Sequence, residues 1–309
     1  NKMGIYRSAY QLLSQQRYDV IIATGEPFIL FSYAAKLSKE FGIPWVADYR
    51  DGWSSNYNAN GMGKLISNIF YRRIEQSTCR TAQLVTVAAP VYAEQLSDLL
   101  DRDKEAIPVV YNGYFEDMFE GLEEVPEKKT FHIVHAGTLY YFQRVETFLN
   151  GVNQFLEKHP DAEIETTFFG LNFYPAQIDR IRTAAGKATV KFTDKIPHRK
   201  MLEELASSHL QLLVATPEKH QIYGKVFDYL ASGRPTLMVE NDKGPLEWIL
   251  SHQENSYNAS SSQEVCNCIE DLYLNPENTK RLPRGENQFS RRKQTERFAN
   301  LILDILNKK

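Results

Sequence analysis

The stretch TPEKHQIYGKVFDYLASGRP, residues 216–235, places a helix directly after an apolar run that reads as a strand. The run is Leu210–Ala215, and the helix begins near Lys225 and ends at Gly233, a residue type that commonly stops helices. A buried strand followed by a helix is the repeating unit of proteins with parallel α/β sheets. The stretch therefore predicts one such unit, and the flanking sequence shows how often it recurs.

The same alternation of strand and helix runs through most of the chain. Runs rich in Val, Ile and Phe predict strands at Tyr18–Thr24, Pro44–Tyr49, Gln83–Ala88, Ile107–Tyr111, Phe131–Gly137, Ile164–Gly170, Thr189–Thr193, Leu210–Ala215 and Pro235–Val239. Helical patterns fall at Gly4–Gln16, Pro27–Phe41, Met62–Arg80, Arg144–Lys158, Lys225–Ser232 and Phe289–Leu306. The runs are apolar along nearly their whole length, as strands covered on both faces should be. The pattern predicts two α/β series in one chain.

An acidic stretch separates the two series. Residues 116–129 contain six Asp or Glu residues and few core-forming side chains, which is typical of an interdomain linker. We predict a first domain at 1–118 joined by the terminal helix at 289–309, a linker at 119–130, and a second domain at 131–288. The first series opens in a helix with no strand before it, so we expect that about two or three βα units are missing from its start.

Composition and charge exclude several classes of function. The 309 residues are 42% hydrophobic and 24% charged, with a formal net charge of −3, so no nucleic-acid partner is expected. No apolar run approaches the ~18 residues of a membrane-spanning helix, and the first residues show no signal peptide. Three cysteines indicate a reducing compartment, so we expect a cytoplasmic protein.

Several familiar site motifs are absent from the sequence. No Gly-x-Gly-x-x-Gly follows a strand, and Gly61-Met62-Gly63-Lys64 is too short for a phosphate-binding P-loop. Neither His-Glu-x-x-His nor Gly-x-Ser-x-Gly occurs, and the histidines lack metal-ligand spacing. We therefore expect no cofactor and no protein-bound metal.

The start of the Lys225 helix offers the chemistry of a nucleotide site. Backbone N–H groups at a helix start attract phosphate, Gly224 lets the phosphate approach, and Lys225 adds a positive charge. Asp228, one turn further along, can accept hydrogen bonds from two ribose hydroxyls. The alternative interpretation is a helix start with an incidental lysine and aspartate.

Four segments together resemble GT-B glycosyltransferases, the family 4-like group that builds bacterial surface polysaccharides. Residues 225–235 resemble its donor-site helix, Lys-x-x-Glu-Tyr-x-Ala-x-Gly-x-Pro, and Ile133–Leu139 resembles the first strand and loop of its donor domain. Val109–Gly113 is similar to its Asn-Gly turn, and Trp45–Trp53 to the Asp-x-Arg-Asp-x-Trp segment of a bacterial subgroup. The resemblance implies two Rossmann-like doubly wound domains facing across a cleft, with the first domain truncated.

The resemblance also implies an activity and its residues. The activity is transfer of a sugar, with retention, from a nucleoside-diphosphate sugar to a glycan or lipid-linked acceptor. Asp228 matches the acid that holds the donor ribose. The other donor-side candidates are Gly137, Thr138, Arg144, Pro197, Tyr223, Gly224 and Lys225.

Three positions depart from the family pattern. Thr138 and Gln143 stand where the family commonly has Arg and Lys, and Arg144, one residue on, is expected to supply the missing charge. His220 stands eight residues before Asp228, where the family has a glutamate that contacts the transferred sugar. His220 is therefore a catalytic candidate.

The acceptor side is expected at the end of the strand Pro44–Tyr49. Asp48, Arg50 and Asp51 lie there, and charges at the carboxyl end of a parallel strand face the ligand crevice. Asp51 or Asp48 would orient or deprotonate the acceptor hydroxyl. The alternative is an Asp–Arg pair that only fixes the following loop. The polar loop Gly52–Gly63 is itself expected to be a mobile acceptor loop.

The terminal helix and two other functions complete the expectations. The basic face of residues 289–306 predicts either a solvated surface or weak peripheral contact with an anionic membrane. The protein would alternatively be a nucleotide-sugar-binding subunit without transferase activity, or an epimerase acting on a nucleotide-sugar. The sequence predicts no oligomeric state.

Overall fold

The computed structural model describes residues 2–54, 62–171, 175–216, 222–283 and 288–307. The chain divides into a first unit, Asn1–Asn112 with Arg292–Lys309, and a second unit, Gly113–Arg291.

The described residues form strands and helices in alternation. Strands β1 to β9 are Ile21–Gly25, Trp45–Tyr49, Leu84–Val87, Phe131–Ala136, Ile164–Phe169, Thr189–Thr193, Leu210–Val214, Thr236–Val239 and Ser256–Ala259. Helices α1 to α11 are Lys2–Gln15, Ile29–Phe41, Met62–Cys79, Pro90–Leu100, Glu146–Lys158, Pro175–Ala185, His198–Ser207, Lys225–Ser232, Pro245–Leu250, Ser262–Leu274 and Arg291–Asn307. This order confirms the predicted α/β class.

The first unit contains a parallel sheet of three described strands in the order β1-β2-β3. β2 is buried along its whole length, and Trp45 and Tyr49 pack with Phe31 in the core of the unit. Burying a side chain of this size stabilises a fold by about 1.5–3 kcal/mol. β1 is buried at alternate residues, because it lies at the edge of the described sheet.

The second unit contains a parallel sheet of six described strands in the order β6-β5-β4-β7-β8-β9. The central strands β4 and β7 are fully buried, which agrees with their unbroken apolar runs. Helices α5 and α10 cover part of this sheet, and the core of the unit contains Ile133, Phe148, Phe168 and Leu212. Both units therefore have the parallel, helix-covered sheets of Rossmann-like domains.

The structure differs from the strand predictions at two places: one predicted strand is absent from the described sheets, and one observed strand was not predicted. Ile107–Tyr111 is not a strand: Val109 forms an isolated bridge with Val87, and Val110 donates its N–H to the Val87 carbonyl at 2.8 Å. The run is apolar because Ile107 and Val110 are buried, not because it belongs to a sheet. The edge strand β9 was missed because Ser256 and Asn258 alternate with less polar residues and the run is short.

The predicted linker contributes to the second unit. Phe119 and Leu122 are buried, and the Glu127 carboxylate pairs with the buried Arg234. The contact-based boundary lies at Asn112–Gly113, ahead of residues 119–130. The acidic stretch thus lies close to the boundary between the units. Its buried side chains, Phe119 and Leu122, belong to the second unit.

Helix α11 extends the predicted terminal helix by one residue at its end. Its apolar residues Phe298, Leu301 and Ile302 are half-buried, whereas the basic residues at 291–293 and 297 are exposed. The buried Gln294 accepts the Tyr111 N–H at 2.7 Å. One face of the helix is therefore docked and the other is solvated.

Candidate functional site

The order in which strands are added to the second sheet reverses at β4. From β4 the chain adds β5 and then β6 on one side, and it returns to the other side of β4 with β7. All these pairs are parallel, so the carboxyl ends of β4 and β7 are neighbours. Open α/β sheets bind ligands at this kind of switch point. The predicted donor residues around Gly137 and Lys225 follow β4 and β7.

Lys225 connects the start of α8 to the end of β4. Its Nζ lies 3.1 Å from His135 Nε2 and 3.1 Å from the Thr138 carbonyl oxygen. An ammonium donates three hydrogens and accepts none, so these two bonds use two of its hydrogens. Among the described residues, the third hydrogen has no acceptor, and it could therefore bind a ligand.

The buried ring of His135 has defined proton positions. Its Nδ1 lies 3.0 Å from the Leu212 carbonyl oxygen, which can only accept, so Nδ1 carries the hydrogen. Burial, and then the charge of Lys225, hold the pKa of His135 well below its ordinary value. The ring is therefore neutral, and its Nε2 accepts from Lys225.

Burial also changes the ionisation of Lys225. Removal from water lowers the pKa of the Lys225 ammonium to about 7. Burial disfavours the charged form of a lysine, and a bound anion would favour it again. Lys225 therefore lies at the edge of the sheet where ligands bind, and its pKa would rise when an anion binds beside it.

Glycines keep this edge open. Gly137 and Gly170, which follow β4 and β5, have φ angles of +82° and +83°, a conformation that side chains rarely adopt. Gly224 has an ordinary helical φ, and a Cβ added there would meet no atom of the described residues within 4 Å. The protein itself therefore does not require glycine at 224, which suits a position where a ligand approaches the backbone.

Asp228 lies on α8, one turn after Lys225. Its Oδ2 lies 3.0 Å from His198 Nε2, and its side chain is 24% exposed, so it is neither free in solvent nor sealed in the core. Burial raises the pKa of Asp228, while the hydrogen bond from His198 and the charge of Arg291 lower it. A carboxylate in this setting can accept hydrogen bonds from a ligand.

The other donor-side candidates surround this edge. Pro197 is exposed and directly precedes α7, whose first residue is His198. The Tyr223 hydroxyl lies 3.1 Å from Thr216 Oγ1, and burial raises its pKa. Arg144 is exposed just before α5. His220 lies outside the described residues.

Gln143 has a structural role. It is buried, its amide nitrogen donates to the Val214 carbonyl, and its oxygen accepts the Tyr140 N–H at 2.8 Å. Both ends of the amide are thus occupied by the backbone, so Gln143 does not replace the lysine of the family pattern as a ligand-binding group.

In the first unit, both carboxylate oxygens of Asp48 accept hydrogen bonds from neighbouring side chains. Its carboxylate accepts two hydrogen bonds from Arg50, at 2.6 and 2.9 Å, and one each from Thr86 at 2.8 Å and Thr24 at 3.2 Å. Asp48 is 3% exposed, and Arg50 also donates to the Val110 carbonyl at 3.0 Å. These contacts favour the alternative stated above, in which the pair fixes the loop, over proton transfer by Asp48.

Of the two predicted acceptor-side acids, Asp51 is the accessible one. It lies at the surface after β2, where partial desolvation and then the nearby Glu26 carboxylate raise its pKa. A raised pKa brings a carboxylate closer to the range in which it exchanges protons. Asp51 is therefore the better candidate for a group that orients or deprotonates an acceptor.

A cavity of about 400 Å³ lies beside the segment that follows β2. Trp53, Tyr92 and the buried Glu75 line it, and Glu75 accepts the Ser54 N–H at 3.0 Å. Of the predicted acceptor loop Gly52–Gly63, residues 55–61 lie outside the described residues.

The sequence alone did not indicate which residues His135 and His198 contact. His135 lies beside Lys225, 90 positions away in the chain, and His198 beside Asp228, 30 positions away. Only the pairing of neighbouring strands and helices reveals these contacts, and no local motif signals them.

Comparison with known proteins gives one match to a family model and a set of similar folds. Residues 3–113 match the model of the glycosyl transferase 4-like domain. The match covers nearly all of Asn1–Asn112, the larger segment of the first unit. No curated protein sequence matches the chain.

Solved structures resemble almost the entire chain. HepE from Anabaena, solved with UDP and glucose, is 16% identical with a TM-score of 0.63, over 99% of this chain and 79% of HepE. A glycosyltransferase from Rickettsia africae is 11% identical with a TM-score of 0.66, over 98% and 81%. A proposed UDP-N-acetylglucosamine 2-epimerase from Listeria monocytogenes is 11% identical with a TM-score of 0.54, over 99% and 80%.

At these identities the likeness shows the fold, which is the GT-B fold of glycosyltransferases. Together with the domain match, it supports a transferase. Among the described helices, none combines the length and apolar character needed to cross a membrane. Within the same residues, His, Cys, Asp and Glu form no group of three or more that could hold a metal ion.

Proposed function

We propose that the protein transfers a sugar from a nucleoside-diphosphate sugar to a glycan or lipid-linked acceptor, with retention, in cell-surface polysaccharide biosynthesis. The observation that carries the proposal is Lys225, which is held at the switch point of the second sheet and uses two of its three ammonium hydrogens on acceptors of the described residues. UDP is the first nucleotide to test, because HepE was solved with UDP and glucose.

The donor diphosphate would bind at the start of α8. Backbone N–H groups there, the Lys225 ammonium and the exposed Arg144 would stabilise the charge that develops on the leaving diphosphate. Because these groups are positive before the reaction starts, they need no divalent ion to supply charge. Asp228 would accept hydrogen bonds from the donor ribose.

The acceptor would bind to the first unit near Asp51. This acid follows a buried strand, and its raised pKa suits a group that positions or removes the proton of a hydroxyl. The basic, exposed face of α11 would give a cytoplasmic enzyme weak attachment to an anionic membrane that carries a lipid-linked acceptor.

Binding is tested by the melting temperature of the protein with UDP, GDP, CDP and ADP. A ligand that binds only the folded protein raises stability by RT ln(1 + [L]/Kd), so one of the four should raise the melting temperature well above the others. The matched control is Lys225→Met, which should lose most of the increase. If none of the four acts on the wild type, the donor site is not a nucleoside-diphosphate site.

Turnover distinguishes the proposed transferase from the two alternatives. With donor and a glycan or lipid-linked acceptor, a transferase releases nucleoside diphosphate only when the acceptor is present, and NMR of the product reports whether the anomeric configuration is retained. An epimerase, favoured by the shared fold of the Listeria protein, converts the donor with no acceptor. Nucleotide binding without either reaction would indicate a binding subunit.

A further inference from the structure

We propose that His135 is a positioning residue for the diphosphate site, acting through the lysine that it holds. The Nε2 lone pair of His135 accepts one Lys225 hydrogen and thereby directs the remaining hydrogen toward the bound diphosphate. The inference rests on the proposed function, because it needs a diphosphate at the start of α8.

The contacts of His135 leave it no other polar role. The ring is fully buried on β4 and lies against Phe168, with 5.7 Å between ring centroids. Its Nδ1 is used by the Leu212 carbonyl and its Nε2 by Lys225. The histidine therefore cannot touch a substrate, and whatever it contributes to binding passes through Lys225.

A neutral hydrogen-bond acceptor can orient the lysine without neutralising its charge, whereas a carboxylate would do both. A lysine side chain is flexible and carries three equivalent hydrogens, so its direction must be fixed by partners. A carboxylate would fix it but would also neutralise the charge that attracts phosphate. Across the described residues, Lys225 forms no ion pair with an acid, and its two acceptors, His135 and the Thr138 carbonyl, carry no charge. When Lys225 is protonated, its ammonium is thus oriented without being paired to an acid of the described residues.

The position of the ammonium fits this role. A Cβ added to Gly137 would lie 3.9 Å from Lys225 Nζ, so the ammonium sits directly beside the open glycine turn after β4. The two acceptors belong to that strand and its loop, while the lysine belongs to α8. The pair therefore connects the two elements whose ends form the switch point.

Two substitutions separate the two bonds of the ring. In His135→Asn, the amide can occupy the place of Nδ1 and keep the bond to Leu212, but it lacks an acceptor at the place of Nε2. In His135→Gln, the amide oxygen can occupy the place of Nε2 and accept from Lys225, but the bond to Leu212 is lost. The asparagine variant thus removes the positioning bond, and the glutamine variant removes the interior bond.

The measurement is the Kd of the tightest diphosphate among UDP, GDP, CDP and ADP, and of its parent nucleoside, by calorimetry. For His135→Asn we expect diphosphate affinity to fall about tenfold and nucleoside affinity to stay within about twofold, as for one lost bond to a charged group. His135→Gln should keep diphosphate affinity within about threefold. In a Lys225→Met background, His135→Asn should have no further effect.

His135 would have a purely structural role in either of two cases. The first is that His135→Asn still lowers diphosphate affinity in the Lys225→Met background, and the second is that it lowers nucleoside and diphosphate affinity alike. The melting temperature of each variant reports the fold independently. If neither variant folds, ¹⁵N NMR of the wild-type histidines decides: His135 should stay neutral with hydrogen on Nδ1 from pH 5 to 8, and its Nε2 resonance should move in Lys225→Met. An unmoved resonance overturns the proposal.

Failure of the proposed function gives a different result. If none of the four diphosphates binds the wild type, the donor site fails and the inference fails with it. If a diphosphate binds but His135→Asn leaves its Kd unchanged, the donor site stands and the role of His135 is refuted.

Discussion

Lys225→Met removes the ammonium while keeping an unbranched side chain of similar length. The charge and its hydrogen bond are then the main difference between the two proteins at the start of α8. A hydrogen bond to a charged group contributes about 1.5–3 kcal/mol, which corresponds to an increase of about 10- to 150-fold in the Kd of a diphosphate. The parent nucleoside, which lacks the phosphates, should bind both proteins alike.

The pH dependence of this difference follows from the buried lysine. Because burial lowers the pKa of Lys225 to about 7, the empty site is mostly protonated at pH 6 and mostly neutral at pH 8. A bound diphosphate favours the ammonium and raises that pKa, so binding takes up a proton above pH 7. Diphosphate affinity of the wild type should therefore fall by up to about tenfold per pH unit above 7, until it reaches that of Lys225→Met.

The assay is calorimetric titration of both proteins from pH 6 to pH 9, in two buffers with different ionisation enthalpies. The ratio of the two Kd values cancels the titration of the ligand phosphate, whose pKa lies near 6. The wild type should take up about half a proton per diphosphate at pH 7, and the methionine variant should lack this uptake. A ratio that stays constant across the range, or an equal loss of nucleoside affinity, would refute the placement of the diphosphate at Lys225.

Four further substitutions test the rest of the two sites. Gly224→Val should weaken diphosphate binding at least tenfold without lowering the melting temperature, because its Cβ meets no atom within 4 Å in the part of the chain that the structure describes. Calorimetry and thermal unfolding check the two expectations, and unchanged affinity would place the diphosphate elsewhere. Asp228→Asn should weaken nucleoside and diphosphate equally, by about 1–3 kcal/mol, and should abolish any preference for ribose over 2′-deoxyribose ligands; a preference that persists contradicts the ribose contact. Asp51→Asn should stop turnover and change the free energy of unfolding by no more than about 0.5 kcal/mol. Asp48→Asn should lower the free energy of unfolding, measured by urea denaturation, by about 1–3 kcal/mol. Full activity in Asp51→Asn would exclude that acid from the reaction.

The helix α8 shows what a local pattern can predict. Its bounds, Lys225–Ser232, were predicted from an apolar strand before it and a glycine stop after it, and Gly233 indeed takes a left-handed φ of 72°. Start and stop signals of this kind act within a few residues, so the sequence contains all the information needed. The buried strands β4 and β7 were predicted for the same reason.

Contacts between distant residues could not be predicted in this way. His135 lies on β4 and Lys225 on α8, 90 positions apart, and they meet only because β7 returns beside β4. His198 reaches Asp228 from the start of α7 by the same geometry. A lone histidine in an apolar run is compatible with many partners, and only the strand order selects one of them.

Each unit has a cation near the carboxyl ends of its parallel strands, but of the two only Arg50 is paired with an acid of the described residues. In the first unit, the Arg50 guanidinium is bound by both oxygens of Asp48, so its charge is largely neutralised within the protein. In the second unit, the Lys225 ammonium is held by an imidazole and a carbonyl, neither of which carries charge. A doubly charged diphosphate gains most from a cation that is fixed but not neutralised. This difference between the two sheet edges supports our proposal that the anionic donor binds to the second unit and that a neutral hydroxyl acceptor binds to the first unit near Asp51.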